Sequence, residues 1–373
     1  MSDYYTQPLD LHQLSNMLNF ISADTDREEW VKVLMSIKSE FGEDGKGVAI
    51  DWSATASNYD VKAFNATWKS IKSDGGVSIG SLVKMAIDNG FKFSSMSKDD
   101  KKRLHTEHLA RKKQRTIKAE QDRLKRVEGY KTAKIRANDI LSRSVRASHL
   151  HPYFFKKGIS EDVRRTIPIY LNGTALIVPV MQFIDQDSLM ELKKRTEIFE
   201  RVDRVKSWGL VAETKMFEVS SLQFIEQDGS KLFLKGGMLK GGFYPICFNG
   251  YVNEIVICEG YATGITLAVH YAPLSEVICA FNANNLIHVA KSFKRMYPTA
   301  NIIIASDNDK ATENKTGVNV GIKKATIACK AVDGKLWIPY FEEGEVGTDW
   351  NDRYLLDTLD KSRIKSNQAG GAV

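Results

Sequence analysis

Apolar positions along the chain change period three times, and each change marks a different kind of structure. Up to about residue 95 they recur at helical spacing, around Met17 to Phe20 and Trp30 to Ile37. Two Trp-bearing stretches follow and end in GGVSIGSLVKMAIDNGF, so a small, mostly helical domain is predicted for residues 1–95. From Lys98 to Arg146 the apolar residues thin to a narrow stripe, Ala119, Leu124, Val127, Ala133, Ala137, Ile140 and Leu141, with few glycines and no proline. This predicts one long exposed helix over residues 96–147. From 148 to 250 the pattern shifts to short strand-like runs (TALIVPVMQFID, VSSLQFIEQD, KLFLKGG) between Gly and Asp turns, as in a β-rich module. A charged insert, Ser188 to Trp208, is expected to be a surface helix or hairpin excursion. From 251 to 345 continuous apolar runs (IVIC, EVICAF, NIIIA) alternate with helical patterns, which predicts a parallel sheet covered by helices on both faces. Residues 346–373 read as an acidic motif, a short helix and a small-residue tail, AGGAV, expected to be disordered.

Composition adds a partner class. The chain of 373 residues has 43% hydrophobic content, enough for two or three cores, and a net charge of +7. Lys98 to Arg146 alone holds seventeen Lys or Arg against seven Asp or Glu, more than the excess of the whole chain. A helix so charged is either a solvated connector or a surface that follows a polyanion, and the two roles are compatible. The N-terminus MSDYYTQPLDLHQ has no basic-then-apolar leader pattern. The most apolar stretch, Ile255 to Phe281, is interrupted by Glu259, His270 and Glu276, so neither secretion nor a membrane span is expected. Cys247, Cys258, Cys279 and Cys329 form no CxxC pair and read as buried reduced thiols, which suits a cytoplasmic protein. His149 and His151 lack further ligand partners nearby, so zinc is not expected.

Candidate chemistry gathers where the last set of strands ends. Glu259 and Gly260 follow the run IVIC, and Asp307 and Asp309 follow NIIIAS. In parallel sheets ligands sit at the carboxyl ends of strands. Two aspartates two apart on an extended chain project to one side and repel unless a cation lies between them. Magnesium, an oxygen-loving octahedral ion, suits such a pair, although a DxD at a strand end can equally cap a helix. GTDWND offers Asp349 and Asp352, either as added acidic ligands or as caps of the helix that follows. In KLFLKGGMLKGGFYPI, Lys231, Lys235 and Lys240 sit among glycines that let backbone approach a phosphate, or else decorate a hairpin. Trp30, Trp52 and Trp68 read as core anchors rather than base-stacking platforms.

VICEGYATG followed by IIIASDND resembles the Toprim domain shared by bacterial-type primases, topoisomerases and some nucleases, over about Glu254 to Tyr340. The segment from Met17 to Phe91 resembles the PriCT-type domain that accompanies primases of phages and plasmids. The resemblance implies a Rossmann-like α/β Toprim core preceded by a β-rich basic module and a helical N-terminal domain. It implies Glu259 as the acid/base or metal-positioning residue, and Asp307 and Asp309 as ligands of Mg2+ or Mn2+, supplemented by Asp349 and Asp352. It also implies that Lys231, Lys235 and Lys240, with Lys156, Lys157, Arg164 and Arg165 of HPYFFKKGISEDVRR, contact template or nucleotide. The expected activity is that of a DNA primase making short RNA primers on single-stranded DNA from nucleoside triphosphates, for a phage, plasmid or integrated element. A Toprim nuclease and a non-catalytic DNA-binding factor are the alternatives. No GxxxxGK[ST] loop occurs, so any replicative helicase is expected to be a separate partner.

Overall fold

The computed structural model describes residues 9–71, 77–93, 97–146, 149–167, 170–184, 217–247 and 252–369. The insert at 188–208 and the last four residues of the tail lie outside these. The chain divides into two compact units, residues 1–125 and 126–373.

The first unit is helical: α1 (Leu11–Leu18), α2 (Arg27–Phe41), α3 (Lys46–Ser53), α4 (Val61–Ser70) and α5 (Ile79–Asp88). Asp10, Asp26 and Asp60 each accept a backbone N–H of the first turn that follows them, which fixes where α1, α2 and α4 begin. The core is built on Leu14, Val33, Leu34, Ile37, Phe64 and Leu82, and the tryptophans anchor it. Trp52 is buried and its indole N–H donates to the Ile21 carbonyl at 2.8 Å, while Trp68 stacks on Phe64 and donates to Glu43. Each buried indole thus has the hydrogen-bond partner it needs.

Helix α6 (Lys98–Arg143) is the long basic helix. Its surface carries ion pairs one turn apart, Arg103–Asp100, Arg123–Glu120, Lys131–Glu128 and Arg143–Asp139, each adding a few tenths of a kcal/mol. The expected apolar stripe is realised only in part. Ala133 and Ala137 are buried, and Ala137 packs with Ile177, Leu222 and Leu234 beside Ile140 and Leu141; Leu124 and Val127 remain exposed.

The second unit holds two sheets. The first is an antiparallel meander in sequence order: β1 (Val145–Arg146), β2 (Tyr170–Asn172), β3 (Ala175–Phe183), β4 (Phe217–Ile225) and β5 (Lys231–Phe233). Two short helices, α7 (Pro152–Lys156) and α8 (Glu161–Thr166), lie between β1 and β2 in the chain. The second sheet contains β6 (Tyr244–Cys247), β7 (Glu254–Cys258), β8 (Glu276–Cys279), β9 (Asn301–Ala305) and β10 (Lys335–Trp337), in the order β10-β9-β7-β8-β6. All neighbours are parallel except the edge strand β6, so Tyr244–Cys247 belongs to this sheet and not to the preceding module. Between these strands run α9 (Tyr261–Thr266), continued by a wider turn over Leu267–Tyr271, then α10 (Ala283–Met296), α11 (Lys310–Thr316) and α12 (Val320–Val332); α13 (Trp350–Ala369) follows. Ile255 to Cys258 and Val277 to Cys279 are wholly buried, as a sheet covered on both faces requires. All four cysteines are free and buried. Among the described residues, no helix is long and apolar enough to cross a membrane.

Candidate active site

The parallel register explains why the acidic residues meet. Cys258 of β7 pairs with Ala305 of β9 and with Cys279 of β8, so Glu259 and Asp307 emerge just beyond paired positions on adjacent strands. Phe281 and Asn282 leave the end of β8 beside them. Apolar residues hold the strands in the core, and the first polar residue after each run falls at the rim. These strand ends, with Lys231 from β5, Lys157 after α7, and Asp349 before α13, line a cleft of about 210 Å³. Gly321 keeps this arrangement tight, because a Cβ there would stand 2.7 Å from the Asp307 carbonyl oxygen.

Electrostatics set the cleft apart. Burial raises the Glu259 carboxyl to about 7, against the pull of the Asp307 and Ala283 backbone N–H groups. Asp307 is raised to about 8, first by burial and then by the charges of Glu259 and Asp349, with Lys231 opposing. Glu259 Oε1 and Asp307 Oδ1 are both buried without a hydrogen-bond partner among the described residues. A buried acceptor left unmatched costs about 1–3 kcal/mol, more when charged, so two on neighbouring strands call for a proton, a cation or a ligand donor.

Asp309 is placed differently. The chain leaves β9 at Ala305, and Asp309 becomes the N-cap of α11, accepting from the Thr312 backbone N–H at 3.0 Å and from the Thr312 hydroxyl. Those bonds hold its carboxyl below the usual range. It does not line the cleft, so the same-side pairing expected of an extended DxD gives way to one residue at the rim and one at a cap. Asp349 does both jobs: it lines the cleft, with Lys157 Nζ 4.0 Å away, and accepts the Asp352 backbone N–H at the start of α13. Asp352 accepts from the Thr348 backbone N–H at 2.9 Å and is not a lining residue.

Of the basic candidates, Lys157 and Lys231 face the cleft. Lys156 donates to the Asp228 carbonyl, Arg165 pairs with Glu161, and Arg164 is buried over the Phe155 ring while donating to the His149 carbonyl. Lys235 is exposed, and Lys240 lines a separate groove. Sequence reasoning missed Asn282, Phe281 and Asn285. Asn282 caps α10 by accepting the Asn285 N–H, a role its place before a helical run could have suggested. Phe281 has φ +69°, a left-handed conformation unusual for a bulky residue, and packs edge-on against Phe233 of β5. Nothing in its neighbours signalled that. Buried Asn285 ties the loop before β6 to the sheet, accepting from the Gly241 N–H and donating to the Gly242 and Ala280 carbonyls.

Among the described residues, no three His, Cys, Asp or Glu side chains are already gathered around one ion position. The two orphaned carboxylate oxygens nonetheless fit a hard divalent ion, which takes oxygen ligands and commonly completes its shell with water and substrate phosphate.

Residues 254–358 match the family model described as Toprim domain, and residues 14–86 match Primase C terminal 2 (PriCT-2). Two Escherichia coli proteins named DNA primase TraC are each 35% identical over 131 residues, which is 34% of this chain and 12% or 9% of theirs. The match thus spans about a tenth of the length of these relatives. Among solved structures, the primase fragment of the bacteriophage T7 primase-helicase protein aligns with TM-score 0.35 and 14% identity, over 57% of this chain and 72% of that one. The DnaG catalytic core aligns with TM-score 0.32 and 12% identity, over 64% and 79%.

Proposed function

We propose that this chain is a DNA primase that joins nucleotides into short primers on single-stranded DNA in the cleft of Glu259, Asp307 and Asp349. The observation that supports the reading best is the pair of half-buried carboxylates at adjacent parallel strand ends, each with one buried oxygen that no described residue answers, with two lysines in the same cleft. The Toprim match over those strands, the PriCT-2 match over the helical unit and the TraC relatives support it. Glu259 and Asp307, with Asp349 beside them, would hold Mg2+ or Mn2+. Such an ion neutralises phosphate charge and lowers the pKa of an attacking hydroxyl. Until then, the protons that burial favours keep two adjacent negative charges from coexisting. Lys231 and Lys157 supply the positive charge to seat the triphosphate of an incoming nucleotide. Lys235 and Lys240, on the loop before β6, extend the basic surface toward a template. Asp309 acts first as the cap that fixes α11, and becomes a ligand only by giving up Thr312.

In this reading residues 1–95 form a PriCT-like domain, 96–147 a basic helical connector, 148–250 the nucleotide-facing module, 251–345 the catalytic Toprim domain and 346–373 a C-terminal acidic motif and helix. Work in the cytoplasm and partnership with a helicase belong to the same reading. The test is incubation of the protein with single-stranded DNA, Mg2+ or Mn2+ and labelled nucleotides, next to Asp307→Asn. Short template-dependent oligomers lost in the variant are expected. Shortening of the DNA without incorporation would replace the primase with a nuclease, and neither product would leave a binding factor.

A further inference from the structure

A second, chemically distinct depression lies on the flank of α10. His288, Lys291, Ser292 and Arg295 recur at intervals of three and four residues, so they occupy one face of that helix. Lys240 and Phe183 close a groove of about 340 Å³ over this face. The placement of Lys240 is enforced: Asn285 of α10 holds Gly241 and Gly242, and Gln182 of β3 donates to the Lys240 carbonyl at 3.1 Å. Among the described residues, no carboxylate lines the groove and none forms an ion pair with Lys240, Lys291 or Arg295. Lys240 and Lys291 stand close enough to His288 that their charges, after burial, lower its pKa. Three cations converging on one groove without a counter-charge repel each other and favour an anion there. A basic residue in the last turn, such as Arg295, complements the helix dipole, but that does not account for Lys240, on another element, or for Lys291 a turn earlier.

We propose that this groove is a phosphate-binding track for the single-stranded DNA template, gripping its backbone at a distance from the reacting end. The inference rests on the primase reading for the identity of the strand, and on the groove itself for its chemistry. Asn282 at the start of α10 lines the acidic cleft, whereas residues 288 to 295 line the groove, a separation of about 9–20 Å along the helix axis. An extended single strand spans about twice the 3.4 Å per nucleotide of a duplex, so this corresponds to roughly one to three nucleotides beyond the cleft. Phe183, packed against Phe217, Phe243 and Phe293, forms an apolar wall of the groove.

The experiment measures binding of fluorescent single-stranded oligonucleotides of four and twenty nucleotides to the full chain, by anisotropy from low to moderate salt, for wild type and a Lys291→Glu/Arg295→Glu variant. The expected result is at least a tenfold loss for the long oligonucleotide, with the salt slope reduced by about 1.4 for two phosphates released. The four-nucleotide oligomer, short enough to sit in the groove by itself, should also bind less tightly, whereas a Lys291→Arg/Arg295→Lys variant should bind like wild type. Unchanged affinity and slope for the long oligonucleotide would overturn the proposal, as would an equal loss in the Lys291→Arg/Arg295→Lys variant. Failure of the primase reading registers separately, as absence of primer synthesis by wild type, whatever the binding result.

Discussion

Two regions of this molecule bury carboxylates, and they answer them in opposite ways. In the helical unit Glu40 of α2 is nearly inaccessible and receives His108 Nδ1 at 2.8 Å, Arg111 at 3.4 Å and Arg115 at 3.3 Å, all from α6. At the ends of β7 and β9, Glu259 and Asp307 are half-buried, and each keeps one buried oxygen without a partner among the described residues. Removing a charge from water is costly, and protein cations can offset it only where the chain supplies them. Glu40 is therefore a clasp between helices. Glu259 and Asp307 are kept at a standing cost that a structural role does not explain, which is how a binding site differs from a core ion pair.

The sharpest test of that contrast is substitution at its two poles. Asp307→Asn should lower template-dependent nucleotide incorporation by about a hundredfold or more, in line with removal of one electrostatic stabiliser of a transition state, while leaving the metal-free fold at least as stable. Incorporation assays and thermal melts in chelator check both halves. Glu40→Ala should do the reverse to stability, costing about 3–5 kcal/mol by leaving Arg111 and Arg115 without their counter-charge. Trp30, Trp52 and Trp68, three of the six tryptophans, lie in that unit, so denaturant unfolding followed by tryptophan fluorescence of wild type beside the variant registers the shift in it. If Asp307→Asn destabilises the chain as much as Glu40→Ala, the contrast collapses.

Acidity offers a milder probe. The folded-state values of about 7 for Glu259 and about 8 for Asp307 lie above their ordinary 4.5 and 3.8, so the folded protein binds more protons than the unfolded one between about pH 4 and 8. The stability this contributes is full below about pH 4 and is lost as pH rises to 8. In chelator the second unit should melt at lower temperature at pH 9 than at pH 6, relative to a Glu259→Gln/Asp307→Asn variant, and Mg2+ should remove that difference by stabilising the pH 9 state. Smallest of all is Asp309→Asn. Asn caps a helix about as well as Asp, so stability should move by less than about 1 kcal/mol. Activity within tenfold of wild type would mark Asp309 as a cap, whereas a loss equal to that of Asp307→Asn would make it a ligand.

Much of this was legible in the sequence because period and burial are coupled. Continuous apolar runs ending in Glu259 and Asp307 could only be buried parallel strands, and their rim residues had to face a shared crevice. Asp309 was harder to read, since a DxD looks the same whether the chain stays extended or turns into a helix after the first Asp. Thr312, three residues on, was the available capping signal. The edge strand Tyr244–Cys247 was not singled out, because its pairing with β8 is long-range and antiparallel, which local pattern does not encode. The left-handed Phe281 and the gathering of Lys157, Lys231 and Asp349 around the cleft likewise depend on tertiary contacts between distant segments. Leu124 and Val127 marked a stripe on α6 that nothing in the described residues covers, since periodicity indicates a face without guaranteeing a partner.

The most direct measurement is calorimetric titration of Mn2+ into the full chain at pH 7.5, beside a Glu259→Gln/Asp307→Asn variant. The account predicts binding by wild type with proton release, seen as a heat that changes with the ionisation enthalpy of the buffer, and no binding at that site in the variant. Equal binding by both proteins, or none by wild type even with nucleotide present, would contradict it.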